Sequence, residues 1–326
     1  MNIKDILTKQ EGFSMNDNTK GVIICLLSAF CFAMGPIFGK LLFSVGLPWQ
    51  VLAPVRGMIP AILIAIHGLI FARHIFKVEK RDLKWHFCNG VCFAMICICN
   101  YCAVYYINAS VSQVLLYTQA IYTVILGRLL LKEKITIQKA LATIAITTGV
   151  ICIINIVNID HIAAQPDLYI MGIPSVAIGI FMGIMSGVLS AVYTLCTRML
   201  NGRYDGWTVN CWCFFFGFPV FFIIGFRPAL AFDWNLNVFL FLLLMSAVGL
   251  AAYSLYAICM HYIDAGKASL IVTVDPVISI TMSVLILGET LSGLQLVGIL
   301  LVAFGVIFME TGQPLIDKWK KKFAKE

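Results

Sequence analysis

The chain has 326 residues, of which 61% are hydrophobic and only 12% are charged, and its mean hydropathy is +0.94. A soluble protein carries about 25% charged residues to keep its surface wet. This composition therefore argues against a soluble globule, a disordered chain, a secreted disulfide scaffold and a nucleic-acid-binding protein. The net charge of +7 is compatible with loops that face an anionic membrane surface.

Long apolar runs divide the chain into ten segments, and about 20 such residues cross the hydrocarbon core as a helix. No alternating ten-residue segments of the kind that build a membrane β-barrel occur in the sequence. We therefore predict an all-α integral membrane protein with ten transmembrane helices. These predicted spans 1 to 10 cover residues 20–43, 50–72, 84–107, 110–131, 136–156, 172–198, 207–226, 236–262, 267–288 and 292–311.

The positive charges predict the orientation of these spans. With the N-terminus in the cytoplasm, 20 of the 23 Lys and Arg residues fall at cytoplasmic ends, and the exceptions are Lys40, Arg56 and Arg227. The positive-inside rule thus predicts a multi-pass protein of the cell (inner) membrane with both termini cytoplasmic. Residues 1–19 lack the pattern of a secretory signal. The basic tail 312–326 fits either a helix on the membrane surface or a frayed end.

The second half of the chain repeats the first. A shift of 156 residues aligns 100–154 with 256–310 without a gap, with nine of 55 positions identical, and Gly149 then falls on Gly305. A shift of 158 aligns the earlier part, where Lys40 meets Arg198. Spans 1 to 5 are therefore predicted to be duplicated as spans 6 to 10.

An odd number of spans per copy makes the second copy enter the membrane from the opposite side, so the sequence predicts two inverted five-helix repeats. Such repeats give two conformations of similar energy, one open inward and one open outward, which is the basis of alternating access. The predicted domains are a cytoplasmic N-terminal tail (1–19), a first repeat (20–156), an extracytoplasmic linker (157–171), a second repeat (172–311) and a basic cytoplasmic tail (312–326).

The most specific motif begins with Asp275-Pro276-Val277 and ends with Leu287-Gly288-Glu289-Thr290. With the ten-helix layout, the doubled block and Arg56 in span 2, it resembles an EamA-type permease of the drug/metabolite transporter (DMT) superfamily. The resemblance implies transport of a metabolite or amino acid, often export, without a bound cofactor. Span 4 departs from it, because Gln119-Ala120 stands where span 9 has Asp275-Pro276.

Asp275 and Arg56 are the charged candidates for substrate binding. Asp275 lies about eight residues into span 9, about 12 Å deep, where a carboxylate is costly unless it meets water, a cation or a hydrogen-bond donor. Arg56 can hold a carboxylate through two hydrogen bonds, or extend to the outer surface. Together they suit a zwitterion such as an amino acid, but they can equally pair with each other and latch one state closed.

Polar-tipped residues within the spans are further candidates for the wall of a substrate cavity, although each can also be ordinary core. These residues are Asn100, Tyr101, Tyr105, Tyr193, Trp212, Tyr253 and Tyr256. Cys99 and Cys102 formally match a C-x-x-C motif. They lie in mid-membrane without His or carboxylate partners, so we expect them to be core residues and no metal site.

Small residues and prolines predict where helices approach closely or bend. The predicted contact and hinge positions are Gly35, Pro36, Gly39, Gly179, Gly183, Gly187, Pro219 and Pro276. Glu133 and Glu289 end spans 4 and 9 on opposite membrane sides. We interpret both as turn and gate residues that hydrogen-bond to neighbouring backbone ends.

The sequence as a whole predicts a secondary transporter, and not an enzyme, that moves a small organic metabolite such as an amino acid or related compound, with export slightly favoured. A multidrug exporter for lipophilic cations that uses Asp275 alone is an alternative, and an integral-membrane enzyme acting on a lipid is a second. The expected partners are the substrate, protons and the lipid bilayer, without nucleic acid or metal. We expect a monomer or a weak dimer.

Overall fold

The computed structural model describes residues 17–70, 72–130, 137–154, 168–170, 172–200, 203–259, 262, 271, 274–305 and 307–308. Their helices are α1 (Asp17–Ser44), α2 (Trp49–Ile70), α3 (Leu83–Tyr106), α4 (Ala109–Tyr117), α5 (Gln119–Leu130), α6 (Ile137–Ile154), α7 (Ser175–Leu200), α8 (Gly206–Ala231), α9 (Leu236–Cys259), α10 (Asp275–Leu287) and α11 (Gly293–Gly305). A 3-10 turn, Arg73–Phe76, follows α2. Strands β1 (Tyr169–Ile170) and β2 (Ile173–Pro174) form an antiparallel hairpin within and beside the predicted linker.

Within the described ranges, seven helical segments are long and apolar enough to cross a membrane, and they coincide with predicted spans 1 to 4 and 6 to 8. The shorter apolar helices Ala140–Gly149, Val277–Leu287 and Gly293–Gly305 lie in predicted spans 5, 9 and 10. Large apolar side chains such as Ile223 (78% exposed) and Leu230 (72% exposed) cover the outside of the bundle. Such a surface is stable only in lipid, so the predicted all-α membrane class is confirmed.

Spans 4 and 9 each contain one turn residue whose backbone dihedral angles stay in the right-handed helical region. Thr118 forms a turn between α4 and α5, and Val274 forms a turn immediately before α10. The 156-residue shift places Thr118 on Val274. The N–H group of each turn residue donates to the carbonyl oxygen three residues earlier, and its own carbonyl oxygen accepts from the helix that follows. The backbone therefore stays hydrogen-bonded at both turns, as a membrane requires.

Helix contacts come in pairs that exchange the two halves of the chain. The α3–α7 contact matches the α1–α9 contact, and α10 against α1 matches α4 and α5 against α7. The contact between α6 and α11 shows the same exchange of the two halves for individual residues. An added Cβ at Gly149 would lie 2.6 Å from the Gly298 carbonyl oxygen, and one at Gly305 would lie 3.0 Å from that of Ala142. Ala142 is the position aligned with Gly298.

The largest core lies where α2, α3, α8 and α9 meet. Phe221 is fully buried and lies on Gly57, whose missing side chain makes room for the ring. Where α3 crosses α8, an added Cβ at Gly90 would lie 2.6 Å from a carbonyl oxygen of α8. These close approaches hold the helices on which the candidate site lies.

Different helix connections mark the two ends of the bundle, the α2–α3 face and the α3–α4 face. The α2–α3 face carries the connection between these helices, where the buried Asp82 carboxylate accepts hydrogen bonds from the Arg203 guanidinium (2.7 Å) and the Tyr204 hydroxyl (3.0 Å). The α3–α4 face carries the tight turn at Ile107 and Asn108. The positive-inside prediction places the first face in the cytoplasm and the second outside.

Candidate functional site

The Arg56 guanidinium lies inside the bundle between α1 and α9. Added Cβ atoms at Gly35 and Gly249 would lie 3.5 and 3.2 Å from its Nη2 atom, so both glycines lie close to the guanidinium and the contact is tighter on the Gly249 side. Its Cζ lies 5.1 Å from the centre of the Tyr101 ring, a cation–π contact, and Cys97 shares a hydrogen bond with it. The buried Nε has no hydrogen-bond partner.

A small cavity opens beside this guanidinium. It is lined by Arg56, Phe93, Phe214, Ser246 and Tyr253, together with backbone of α2 and α9, and measures about 10 Å³. That is about the space that one water molecule needs. The site is polar at Arg56 and Ser246 and aromatic elsewhere, but in this conformation it is closed to any organic solute.

The Asp275 carboxyl group lies at the turn in span 9 and is held from the turn in span 4. The Tyr117 hydroxyl, on the last residue of α4, donates a hydrogen bond to Asp275 Oδ2. The other oxygen, Oδ1, is buried without a partner. Because α10 begins at Asp275, Pro276 stands in its first turn, where its missing N–H costs no helical hydrogen bond.

Arg56 and Asp275 do not form an ion pair in this structure. Arg56 interacts with Tyr101, Cys97 and Tyr253, whereas Asp275 interacts with Tyr117. The latch interpretation therefore does not describe this conformation. Each charged group instead keeps one buried polar atom without a protein partner.

The structure brings part of the predicted aromatic set to Arg56 and leaves part elsewhere. Tyr101 lies under the guanidinium, and Tyr253 lines the same cavity. Tyr193 packs against the edge of this cluster, 6.2 Å from the Phe93 ring centre. Tyr105 instead contacts Phe43.

Three further predicted residues lie away from the guanidinium contacts. The buried Asn100 side chain leaves its Nδ2 atom without a partner. Trp212 donates its Nε1 hydrogen to the Ile75 carbonyl at the α2–α3 face (3.1 Å). Tyr256 packs on the small Cys25–Cys259 cluster. Cys99 and Cys102 are buried free thiols within α3.

The predicted glycines lie where neighbouring elements approach without room for a side chain. An added Cβ at Gly179 or Gly183 would lie 2.7 Å from Ile107 or Leu115, and one at Gly187 would lie 2.5 Å from the Thr118 hydroxyl oxygen. An added Cβ at Gly39 would lie 2.8 Å from the Tyr101 ring. The turn at Thr118 is thus fitted directly onto α7. Helices α1 and α8 continue through Pro36 and Pro219 without interruption.

Glu289 and Lys40 hold the two sides of the α3–α4 turn. The Glu289 carboxylate accepts hydrogen bonds from the Ala109 N–H (2.7 Å), the Ser110 N–H (3.2 Å) and the Ser110 hydroxyl (2.5 Å). The Lys40 ammonium donates to the carbonyl oxygens of residues 104 and 107, both at 3.0 Å. An anion at a helix start and a cation at a helix end both complement the helix dipole. Glu133, the other predicted gate residue, lies outside the described residues.

An open cleft of about 480 Å³ adjoins this turn. Its lining includes Lys40, Ser44, Asn108 and Glu289. Sequence reasoning singled out Glu289 but missed Lys40 and Tyr117 as structural partners. The repeat alignment could have found Tyr117, since it places this residue on Thr273, two positions before Asp275.

A bundle of long apolar helices with buried charged side chains and small-residue contacts defines a multi-pass membrane protein. The EamA-like transporter family matches the sequence twice, over residues 19–155 and 177–311. The chain belongs to this family. The two matches coincide closely with the two halves that the repeat predicts.

The relatives agree with this assignment. An uncharacterized transporter of Clostridium kluyveri is 28% identical over 93% of this chain and 96% of its own length. The riboflavin transporter ImpX of Fusobacterium nucleatum is 33% identical over 129 residues, which is 37% of this chain and 42% of that protein. A protein of known crystal structure shares the fold with a TM-score of 0.56 and 16% identity, covering 90% of this chain and 98% of that one.

Proposed function

We propose that this protein is a secondary active transporter that moves a small zwitterionic metabolite of the amino-acid class across the cell membrane, with export favoured. It works by alternating access between two inverted five-helix repeats, with both termini in the cytoplasm. The paired helix contacts support the two-fold relation between the repeats. So do the equivalent contacts of Gly149 with the Gly298 carbonyl and of Gly305 with the Ala142 carbonyl. The distribution of Lys and Arg supports the orientation.

The observation that carries the proposal is the state of the two buried charged groups. Arg56 has no acid among its interaction partners and Asp275 has no cation among its own. Leaving a charged group unpaired in low dielectric costs several kcal/mol. A substrate that brings a carboxylate to Arg56 and an ammonium to Asp275 offsets both costs, and a zwitterion carries both groups.

The closed cavity beside Arg56 fits a conformation between two open states. A solute of amino-acid size cannot enter about 10 Å³, so binding requires the helices around Arg56 to separate. Gly35 and Gly249 line the guanidinium on α1 and α9. These helices form one of the exchanged contact pairs, so a movement that opens one half closes its counterpart.

Uptake into proteoliposomes tests this function. A panel of labelled amino acids is supplied with and without a pH gradient, and saturable uptake with counterflow is expected for at least one. Arg56→Lys and Asp275→Asn should each lose most of that uptake. The control Arg73→Lys changes an exposed residue that bonds only the Leu69 carbonyl oxygen, and it should transport normally. Normal uptake by both site variants would refute the assigned roles.

A flat aromatic solute is the second candidate. The cavity wall contains Phe93, Phe214 and Tyr253, which offer ring faces and edges to a planar molecule. The partial likeness to a riboflavin transporter points the same way. Adding riboflavin and a lipophilic cation to the uptake panel separates these classes. Saturable riboflavin uptake without amino-acid uptake would favour this candidate, and turnover of a lipid without any uptake would favour the enzyme alternative.

A further inference from the structure

Helices α4 and α10 carry a line of polar side chains, of which Asp275 alone has a role in the proposed substrate binding. Two contacts fix how these helices pair. Tyr117, at the end of α4, bonds Asp275 at the start of α10, and Ser110, at the start of α4, bonds Glu289 just beyond α10. The helices therefore run antiparallel, and one contact is deep while the other lies at the α3–α4 face.

Residues between these contacts form what we call the α4–α10 seam, made of Ser110, Gln113, Tyr117, Asp275, Ser279 and Ser283. On α4 the spacing of three and four residues puts its three members on one face. On α10 the spacing of four residues does the same. Seven residues of α4 and eight of α10 correspond to about 10 and 12 Å, so the seam covers about a third of the hydrocarbon thickness.

The seam contains an unusual concentration of unpaired buried polar atoms. Gln113 Oε1, Asp275 Oδ1, Ser279 Oγ and Ser283 Oγ are all buried without a hydrogen-bond partner. Most buried polar side-chain atoms in proteins are paired, and each unpaired one costs about 1–3 kcal/mol. Four on one helix pair are therefore positions where water molecules would supply the missing hydrogen bonds.

The dimensions of the seam select what can use it. Ser279 and Ser283 are 0% exposed, and Gln113 is 5% exposed. An organic solute does not fit between side chains packed this closely. Because these side chains are not hydrogen-bonded to one another, a proton needs single water molecules between them, which occupy far less space than an organic solute.

Resting on the transport function proposed above, we propose that the α4–α10 seam is the proton route between Asp275 and the cleft at the α3–α4 face. A hydronium ion in the cleft gives its proton to the first member of the chain. Each hydroxyl or water then accepts one proton and passes on another, and the last transfer neutralises the Asp275 carboxylate. Release runs the same steps backwards, so no group along the route is changed.

Among the described residues, the seam is the polar connection between Asp275 and that face. Helix α10 packs mainly on α1 and α4. From α4 the titratable group at Asp275 is Tyr117, which bonds Oδ2. From α1 the charged group in the outer half is Lys40, which is held by two carbonyl oxygens beside Glu289. Oδ1 is the oxygen left for the proton.

Infrared spectroscopy of the purified full chain tests this route without any substrate. After a rapid acid jump, the band of the protonated Asp275 carboxyl group is followed in time, and Asp275→Asn identifies that band. We expect Ser279→Ala and Ser283→Ala each to slow protonation at least about 10-fold. Ser279→Thr keeps a hydroxyl group at this position and should therefore be protonated at about the wild-type rate, unlike Ser279→Ala. Thr281→Ala is the matched control, since Thr281 is exposed on α10 and bonds its own helix.

The possible outcomes separate this inference from the function it rests on. Unchanged protonation rates in both alanine variants, with wild-type thermal stability or better, would overturn the route. The two unpaired hydroxyls would then have no part in proton transfer. Saturable amino-acid uptake that ignores a pH gradient would also overturn it while leaving the transporter function intact. Absence of uptake for every solute, with slowed protonation in the variants, would instead count against the function and support the route.

Discussion

Replacing Glu289 with alanine tests whether this residue holds the α3–α4 turn. In the structure its carboxylate satisfies the first two N–H groups of α4 and the Ser110 hydroxyl. Loss of a helix cap costs about 0.5–2 kcal/mol, and a hydrogen bond to a charged group contributes about 1.5–3 kcal/mol. Because Glu289 is only half-buried, solvent screens part of this. We therefore expect about 2 kcal/mol for the whole arrangement.

That free energy corresponds to about a 30-fold change in the local opening equilibrium. Amide hydrogen exchange measured by mass spectrometry on peptides that cover Ala109 to Val114 reports this opening directly. Glu289→Ala should raise exchange there by about that factor, and Glu289→Gln, which keeps one acceptor oxygen, should fall between it and the wild type. Exchange at the α2–α3 face should not change.

Glu79→Ala is the control, since Glu79 is 61% exposed and pairs with Arg81 on a surface loop. It should leave exchange at Ala109 and Ser110 as in the wild type. If Glu289→Ala changes exchange at these two amides less than about twofold, the capping free energy derived above is wrong. Glu289 would then have no measurable part in holding the turn.

Two further substitutions test the folded bundle by thermal unfolding in detergent. Gly90→Ala places a methyl group 2.6 Å from a carbonyl oxygen of α8 and should destabilise by about 1–3 kcal/mol, whereas Gly293→Ala meets open space and should be neutral. Arg203→Ala leaves the Asp82 carboxylate buried without its guanidinium partner. Since Arg203 itself is 52% exposed, we expect about 1–3 kcal/mol of destabilisation, against at most about 1 kcal/mol for Arg81→Ala. Equal unfolding temperatures within either pair would contradict the contact concerned.

The apolar runs predicted the all-helical membrane class and the positions of most spans, because lipid leaves few alternatives. A run of 20 apolar residues must be helical, since no water is present to bond an open backbone. The turns at Thr118 and Val274 were beyond such reasoning. Neither residue is a helix breaker. The turn at Thr118 packs against Gly187 of α7, and this tertiary contact is not visible in the local sequence.

The candidate site was only partly predictable for a similar reason. Arg56 and Asp275 stand out in any sequence because charge within an apolar span is costly. Their partners, Tyr101 and Tyr117, are ordinary core residues by type, and only the fold makes them partners. Trp212 shows the reverse, since a promising polar aromatic donates its N–H to a backbone carbonyl at the α2–α3 face.

The turn before Asp275 changes what its position means for transport. In a continuous helix a carboxyl group at this depth would have to rotate with the whole span to change its surroundings. Asp275 instead lies at the start of α10, next to the turn at Val274. Its hydrogen-bond partner Tyr117 lies at the end of α4, next to the turn in span 4. Tyr117 and Asp275 each adjoin one of these turns, so a backbone change at Thr118 or Val274 would act directly on this hydrogen bond. The aligned positions Gln119 and Asp275 differ in chemistry, so of these two residues only the one in the second repeat places an ionisable group beside its turn.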